Sequence, residues 1–443
     1  MQALKAKLSC IVLLALAALC SSACGGSWAS SPPAAPPPAL PPAAPLTADG
    51  ATDRAIRFLE DRVKRDPEDF GAYNKLAAYY LERLRETGNT EYLNLTFRAA
   101  RSSLESVPAE RNSGGLAALT QAKFASHEFA AARDHALQLR ELEPGKSYPY
   151  QMLGDALLEL GDYDGATAAF QSMERLGGSS VNTETRLARL ALLRGAIRVA
   201  QQRYSKAIAL ALNLPVPPRE TVAWCRWQLG ETAFAGGDYE TAEQHYRDAL
   251  VTFPVYYNAL ASLGRVRAAR GDLQGAIEHY EQVVRRLPDP SFVAALGDLY
   301  KLAGREKEAA TQYQLVEQTA RLSKLNGELY NRQLALFYAD HDMKAEEAFR
   351  QVVSEYEVRR DIYGADAVAW TALKAGKIRE AQVAIKEALR LGTPDAKLFY
   401  HAGMIARAAG DELAARDYLQ RALTLNPQFD PLQALIARKA LEG

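Results

Sequence analysis

Neither sign of charge is in excess: 53 lysines and arginines stand against 53 aspartates and glutamates, a formal net charge of zero. That balance excludes the single-signed field with which proteins recruit nucleic acid or an anionic membrane surface, and no nucleic-acid partner is expected. Cysteine is scarce. Of four, only Cys225 lies beyond residue 24, so the body of the chain cannot hold a disulfide framework, and Cys225 reads as a small packed apolar residue. Past the first two dozen residues no apolar run approaches the ~20 residues of a membrane-spanning helix. Also missing are a Walker loop, a dinucleotide-binding fingerprint, an HExxH pair and a CxxC pair. No serine or cysteine has a base at a spacing recognisable as a catalytic arrangement. The chain is therefore expected to be no enzyme and to use no cofactor and no metal.

What is present begins with a leader. Lys5 and Lys7 precede an apolar run from Leu8 to Leu19 that ends at Ser21-Ser22-Ala23, which predicts a secretory signal peptide over residues 1–23. Cys24 comes next. "LCSSACGG" resembles a bacterial lipobox, with Ser21 where leucine is usual, and implies lipid attachment at Cys24. The other reading is ordinary cleavage, giving a soluble secreted or periplasmic protein. Residues 24–50 are then a lipid-attachment cysteine and a Pro/Ala-rich tether, with eight prolines between Pro32 and Pro45. Such a composition builds no core and favours extended polyproline II, reaching roughly 80 Å at about 3.1 Å per residue. With Gly25 rather than aspartate after Cys24, comparable lipoproteins imply the outer membrane, facing the periplasm.

The rest of the chain repeats itself. "QLGETAFAGGDYETAEQHYRDALVTFP" starts at Gln228, and "SLGRVRAARGDLQGAIEHYEQVVRRLP" starts at Ser262, 34 residues later. A third copy, "YQMLGDALLELGDYDGATAAF", starts at Tyr150. In that copy Tyr150, Leu153, Gly154 and Leu157 share one helical face. Gly161-Asp162 breaks the helix, and Tyr163, Ala166 and Phe170 share a face of a second one. The small residues Gly154 and Ala166 let two antiparallel helices approach closely while Phe170 fills the space beside them. Gly264 belongs to the second of these copies, and further ones start around Gly297 and Gly403. Looser ones centre on Ala77, Thr120, Ala207, Ala335 and Ala369.

The order aromatic, Leu-Gly, aromatic, Ala, aromatic, Pro resembles the tetratricopeptide repeat family. The resemblance implies an all-α, right-handed α-solenoid of about ten helix-turn-helix repeats. A degenerate array is expected over 51–214 and a clearer one over 215–430, the boundary falling at "LNLPVPPRE", whose prolines cannot continue a helix. "RETGNTEYLN" is expected as an insertion between the helices of the first copy. Residues 431–443 read as an amphipathic capping helix.

Around Gly230, Arg226, Leu229, Gly230 and Ala233 form one helical stripe, which packs on the second helix. Trp224, Trp227, Glu231 and Phe234 form another. The family resemblance assigns that second stripe to the concave groove in which peptides bind. Its equivalents supply Arg265, then Tyr363 and Trp370, then Tyr400 and Met404. Trp and Tyr are good binding anchors, yet such rings also pack between repeats, and both roles stay open. His245 and His279, one repeat apart, read as equivalent surface positions. Asp342 in "HDMKAEE" is expected to cap a helix. The functional expectation is a scaffold that binds a protein or peptide partner. Alternatives are an assembly factor for a pilus, secretion or polysaccharide-export machine, and a structural spacer.

Overall fold

The computed structural model describes residues 40–45, 50–325 and 332–442. The leader, Cys24 and most of the tether lie outside the described residues. Among the described residues there are twenty-two α-helices, one short 3-10 turn at Ala109–Arg111 and no strand. Pro38–Gly443 forms one compact unit.

The first helix, α1 (Ala51–Arg65), buries Ile56 and Leu59 against its neighbour in the chain. Ten antiparallel pairs come next. The first four are α2 (Phe70–Thr87) with α3 (Glu91–Ser106), α4 (Ser113–Ala125) with α5 (Phe129–Leu142), α6 (Ser147–Leu160) with α7 (Tyr163–Gly177), and α8 (Val181–Leu193) with α9 (Ile197–Leu212). After Pro215–Pro218 come α10 (Arg219–Ala235) with α11 (Tyr239–Thr252), α12 (Tyr257–Ala269) with α13 (Leu273–Arg286), and α14 (Pro290–Leu302) with α15 (Glu306–Leu325). The last three pairs are α16 (Arg332–Asp340) with α17 (Ala345–Val358), α18 (Ile362–Lys374) with α19 (Ile378–Ala388), and α20 (Ala396–Ala408) with α21 (Glu412–Leu425). The closing helix is α22 (Gln433–Glu442). The expected solenoid of about ten repeats and a terminal helix is thus observed, with α1 as an addition that sequence reading missed.

The recurring Gly-Asp pair has a specific job. Gly161, Gly237, Gly271 and Gly410 sit at φ between 78° and 82°, a left-handed turn that favours glycine. The aspartate after each accepts a hydrogen bond from the backbone N–H three residues on, as Asp162 does from Gly165 at 2.8 Å and Asp272 from Gly275 at 2.9 Å. One residue ends a helix and the next caps its partner.

Two expectations need correction. "RETGNTEYLN" is not a looped insertion: α2 runs to Thr87 and α3 starts at Glu91, so the extra residues lengthen the helices. Asp342 is not the N-cap of α17. It lies at φ 53° and accepts from Lys374 Nζ at 2.6 Å, while Lys344 occupies the N-cap of α17.

The stack returns on itself at a fixed interval. Arg359 pairs with Glu159, and Thr393 donates to the carbonyl of Leu193, each across 200 residues. Ile362 N–H donates to the Tyr163 hydroxyl at 2.9 Å across 199 residues, and Asn426 Nδ2 to the Phe234 carbonyl at 2.7 Å across 192. In each case the turn of one pair meets the first helix, or the residues leading into it, six pairs further on. Gly161 illustrates the closeness: a Cβ there would lie 2.1 Å from the Arg360 carbonyl oxygen.

Candidate functional site

The first helices of the first five pairs, α2, α4, α6, α8 and α10, surround a cavity of about 570 Å³. Ion pairs close the ring where α2 returns to α10: Glu86 accepts from Arg219 at 3.0 Å, and Arg85 faces Glu220 at 3.6 Å. Leu81 and Leu84 of α2, Phe124 of α4, Met152 of α6 and Trp224 of α10 supply apolar wall. Gln121, Gln151, Asn182 and Thr185 supply neutral polar groups. Arg186 holds Asp155 with Nη2 at 2.9 Å and Nε at 3.2 Å, so two facing charges are paired across adjacent repeats. Burial raises the Glu220 carboxyl against the opposing pull of Arg85. The cavity therefore offers amides, a neutralised ion pair and apolar patches, with no strong excess of charge.

Of the sequence-derived candidates, only Trp224 lines this cavity. Trp227 is half-buried and donates through Nε1 to Ser262 Oγ at 3.0 Å, joining α10 to α12. Phe234 is buried beneath the Arg265 guanidinium, 4.2 Å from the ring centre. Arg265 itself pairs with Glu231 and bonds the Tyr246 hydroxyl. Trp370 is 2% exposed, stacks on His401 at 4.1 Å and donates to Asp340 at 2.7 Å. Tyr400 is 1% exposed and lies 5.5 Å from Phe429, with half-buried Met404 in the same cluster. Phe234, Trp370 and Tyr400 are thus inter-repeat core in this conformation. For Trp370 and Tyr400 the reason is the closing of the stack, because α22 and the segment leading to it share their core cluster; Phe234 is covered instead by Arg265 of the next repeat. Tyr363 is 40% exposed and lines a second cavity of about 330 Å³, between the turns, with Arg332, Arg359 and Asp395.

The residues that sequence reading missed carried a signal. Counted from Gly154 as the tryptophan stripe is counted from Gly230, the same stripe gives Gln151 and Asp155. Both line the larger cavity.

Burial places three more of the residues singled out in the sequence. Cys225 is fully buried and its thiol is pushed up by desolvation. His245 and His279 are half-buried, each pulled down first by desolvation. Among the described residues no group of three or more His, Cys, Asp or Glu could hold a metal ion. No described helix is long and apolar enough to cross a membrane.

Family models described as tetratricopeptide repeat match residues 228–289, 263–321 and 367–428, then 179–250, then 148–172. Together they cover more than half of the chain. The chain belongs to the tetratricopeptide repeat family. A curated relative, the TPR repeat-containing protein YpiA of Bacillus subtilis (strain 168), is 23% identical over 302 residues, which is 68% of this chain and 60% of that protein. The chain thus spans less than two thirds of the length of that relative. Among solved structures, the APC/C hetero-tetramer Cut9-Hcn1 is 15% identical with a TM-score of 0.43, covering 88% of this chain and 73% of that one. A tetratricopeptide repeat protein from Parabacteroides merdae is 16% identical with a TM-score of 0.33, covering 59% and 97%. MamA is 22% identical with a TM-score of 0.31, covering 39% and 96%. Tetratricopeptide repeat proteins are in general protein-interaction scaffolds, and the fold is typically non-catalytic.

Proposed function

We propose that the protein is a non-catalytic scaffold that holds an extended segment of a protein partner in the cavity ringed by α2, α4, α6, α8 and α10. The observation that carries this reading is the cavity itself. Its volume of about 570 Å³ falls within the ~300–1,000 Å³ usual for ligand sites. Its wall suits a peptide. Gln121, Gln151 and Asn182 can donate to and accept from a backbone whatever side chains it carries, while Leu81, Phe124 and Trp224 offer apolar contact. The place of action is proposed as the cell envelope, with the protein lipidated on Cys24 and facing the periplasm from the outer membrane. Supporting this are the basic-then-apolar leader, the cysteine after Ala23 and the proline-rich stretch.

The test fills the cavity. Gln121 is exposed within it, so Gln121→Trp occupies space without disturbing packing. A photo-crosslinker at Gln151 in native membranes should trap a partner in the wild type and lose it in Gln121→Trp, with helical content unchanged. Leu413→Trp, at a position 86% exposed and not part of the cavity wall, should keep the partner. Unaltered trapping by Gln121→Trp would refute the site. Mass spectrometry of the mature amino terminus tests the anchor: diacylated Cys24 is expected, and cleavage elsewhere rejects it.

A further inference from the structure

Arg226 lies on the stripe of α10 that packs on α11 and is 1% exposed. A buried guanidinium has five donors to satisfy and is costly when they are left unpaired. Here the pairing is thin. Nη1 is 3.4 Å from Asp248 Oδ2, and Nε has no hydrogen-bond partner among the described residues. The one short bond runs from Nη2 to the backbone carbonyl of Pro41, at 2.9 Å across 185 residues. Beside it, Leu40 packs against the core formed by α8, α9 and α10, which includes Tyr204, Ile208, Val222 and Cys225. Pro42, Ala44 and Pro45 are exposed, and the segment has no regular secondary structure.

We propose that this flank of α10 is a docking site for an extended proline-bearing segment, occupied in cis by the chain's own Leu40–Pro45. Polyproline II makes no internal hydrogen bonds, so its carbonyls are free to accept. It is also stiff, so little conformational freedom is lost on docking. An arginine is suited to reading such a carbonyl because it supplies several donors and is weakly hydrated. Leu40 adds apolar burial that a glycine- or serine-rich linker would lack. The strap makes residues 40–45 part of the array rather than of the tether. The docking site is distinct from the cavity ringed by α2 to α10, and the proposal stands whether or not a partner binds there.

A nitroxide at Ala44→Cys tests this in the full chain, with Cys10→Ser, Cys20→Ser and Cys24→Ser to leave buried Cys225 as the other thiol. An immobilised spectrum is expected. Leu40→Ser, and separately Arg226→Lys, should each convert it to the sharp lines of a free linker while helical content holds. An excess of a synthetic peptide of residues 36–46 should do the same to the otherwise wild-type strap. Sharp lines before any strap substitution, or lines that stay broad in Leu40→Ser, would overturn the proposal, the first because nothing is docked and the second because the contact is not the one holding it. Leu40→Ser lies outside every helix, so its readout does not depend on the array tolerating a core change.

Discussion

At the residue scale the array depends on a few places where a side chain must be absent. A Cβ on Gly230 would lie 2.4 Å from Cε1 of Tyr246, and one on Gly154 would lie 2.4 Å from Cε1 of Phe170. Both glycines are in helices, where alanine has the better intrinsic propensity, so propensity and packing oppose each other. Packing should win. Overpacking of this kind costs about 1–3 kcal/mol, against a propensity gain of about 1 kcal/mol or less. The Tyr246 hydroxyl also donates to Glu231 at 2.7 Å, so displacing the ring disturbs the joint with α12. Gly230→Ala is expected to lower the urea midpoint. Tyr246→Leu should lower it too, but the double variant should lose less than the two losses added, since the smaller side chain makes room. Strict additivity would show that the close approach is not what the glycine serves.

At the scale of elements, much was legible in the sequence, because the determinants are local. Gly-Asp turns, small residues at the helix crossing and an aromatic to fill beside them are all read within one repeat. What was not legible is the packing of one turn of the stack on the next. Trp370 and Phe234 look like groove anchors from their own helices, and only their neighbours reveal them as core: α20 and α22 for Trp370, and Arg265 of α12 for Phe234. Asp340 at the end of α16 shows how this works. It accepts from Trp370 Nε1 at 2.7 Å on α18, from Lys397 Nζ at 3.2 Å on α20 and from Gln433 Nε2 at 2.6 Å on α22. Burial raises its carboxyl, but Lys397 and His401 outweigh that and hold it below the usual range. One carboxylate thus gathers four helices. Asp340→Ala orphans donors that cost about 1–3 kcal/mol each when buried. The expected result is faster amide exchange throughout α22, with α2 to α9 unaffected. Unchanged exchange in α22 would mean that its apolar contacts alone hold it.

At the scale of the whole described unit, the six-pair interval makes the solenoid a stack whose successive turns touch, and an ionic clasp marks the seam. Glu159 at the end of α6 pairs with Arg189 of α8 and with Arg359 six pairs later. Arg332 in turn grips Asp361 with Nη1 at 3.0 Å and Nη2 at 2.8 Å, and reaches Glu355 at 3.0 Å. Burial pushes the Glu159 carboxyl up, but Arg189 and Arg359 overcome this and leave it below its ordinary value. A depressed carboxylate contributes stability that is present above the unfolded value of about 4.3 and is lost as pH falls through the folded one. The seam should therefore loosen in acid, below about pH 4.3. Glu159→Gln should reproduce that loosening at neutral pH, because it leaves Arg359 without its partner across the seam. Breaking a buried pair costs about 3–5 kcal/mol, and Arg189 is 46% exposed, so the lower part of that range or less applies. The reporters are backbone amides that cross the seam, Arg360 N–H to the Leu160 carbonyl at 3.2 Å and Ile362 N–H to Tyr163 Oη at 2.9 Å. Each 1.4 kcal/mol of lost local stability speeds exchange about tenfold, so at least a tenfold rise is expected at these amides in Glu159→Gln at pH 7. The amides within α12 and α13, away from the clasp, should exchange as in the wild type. If the seam amides keep their wild-type rates, apolar contacts such as Ile362 hold the turns together and the charges do not.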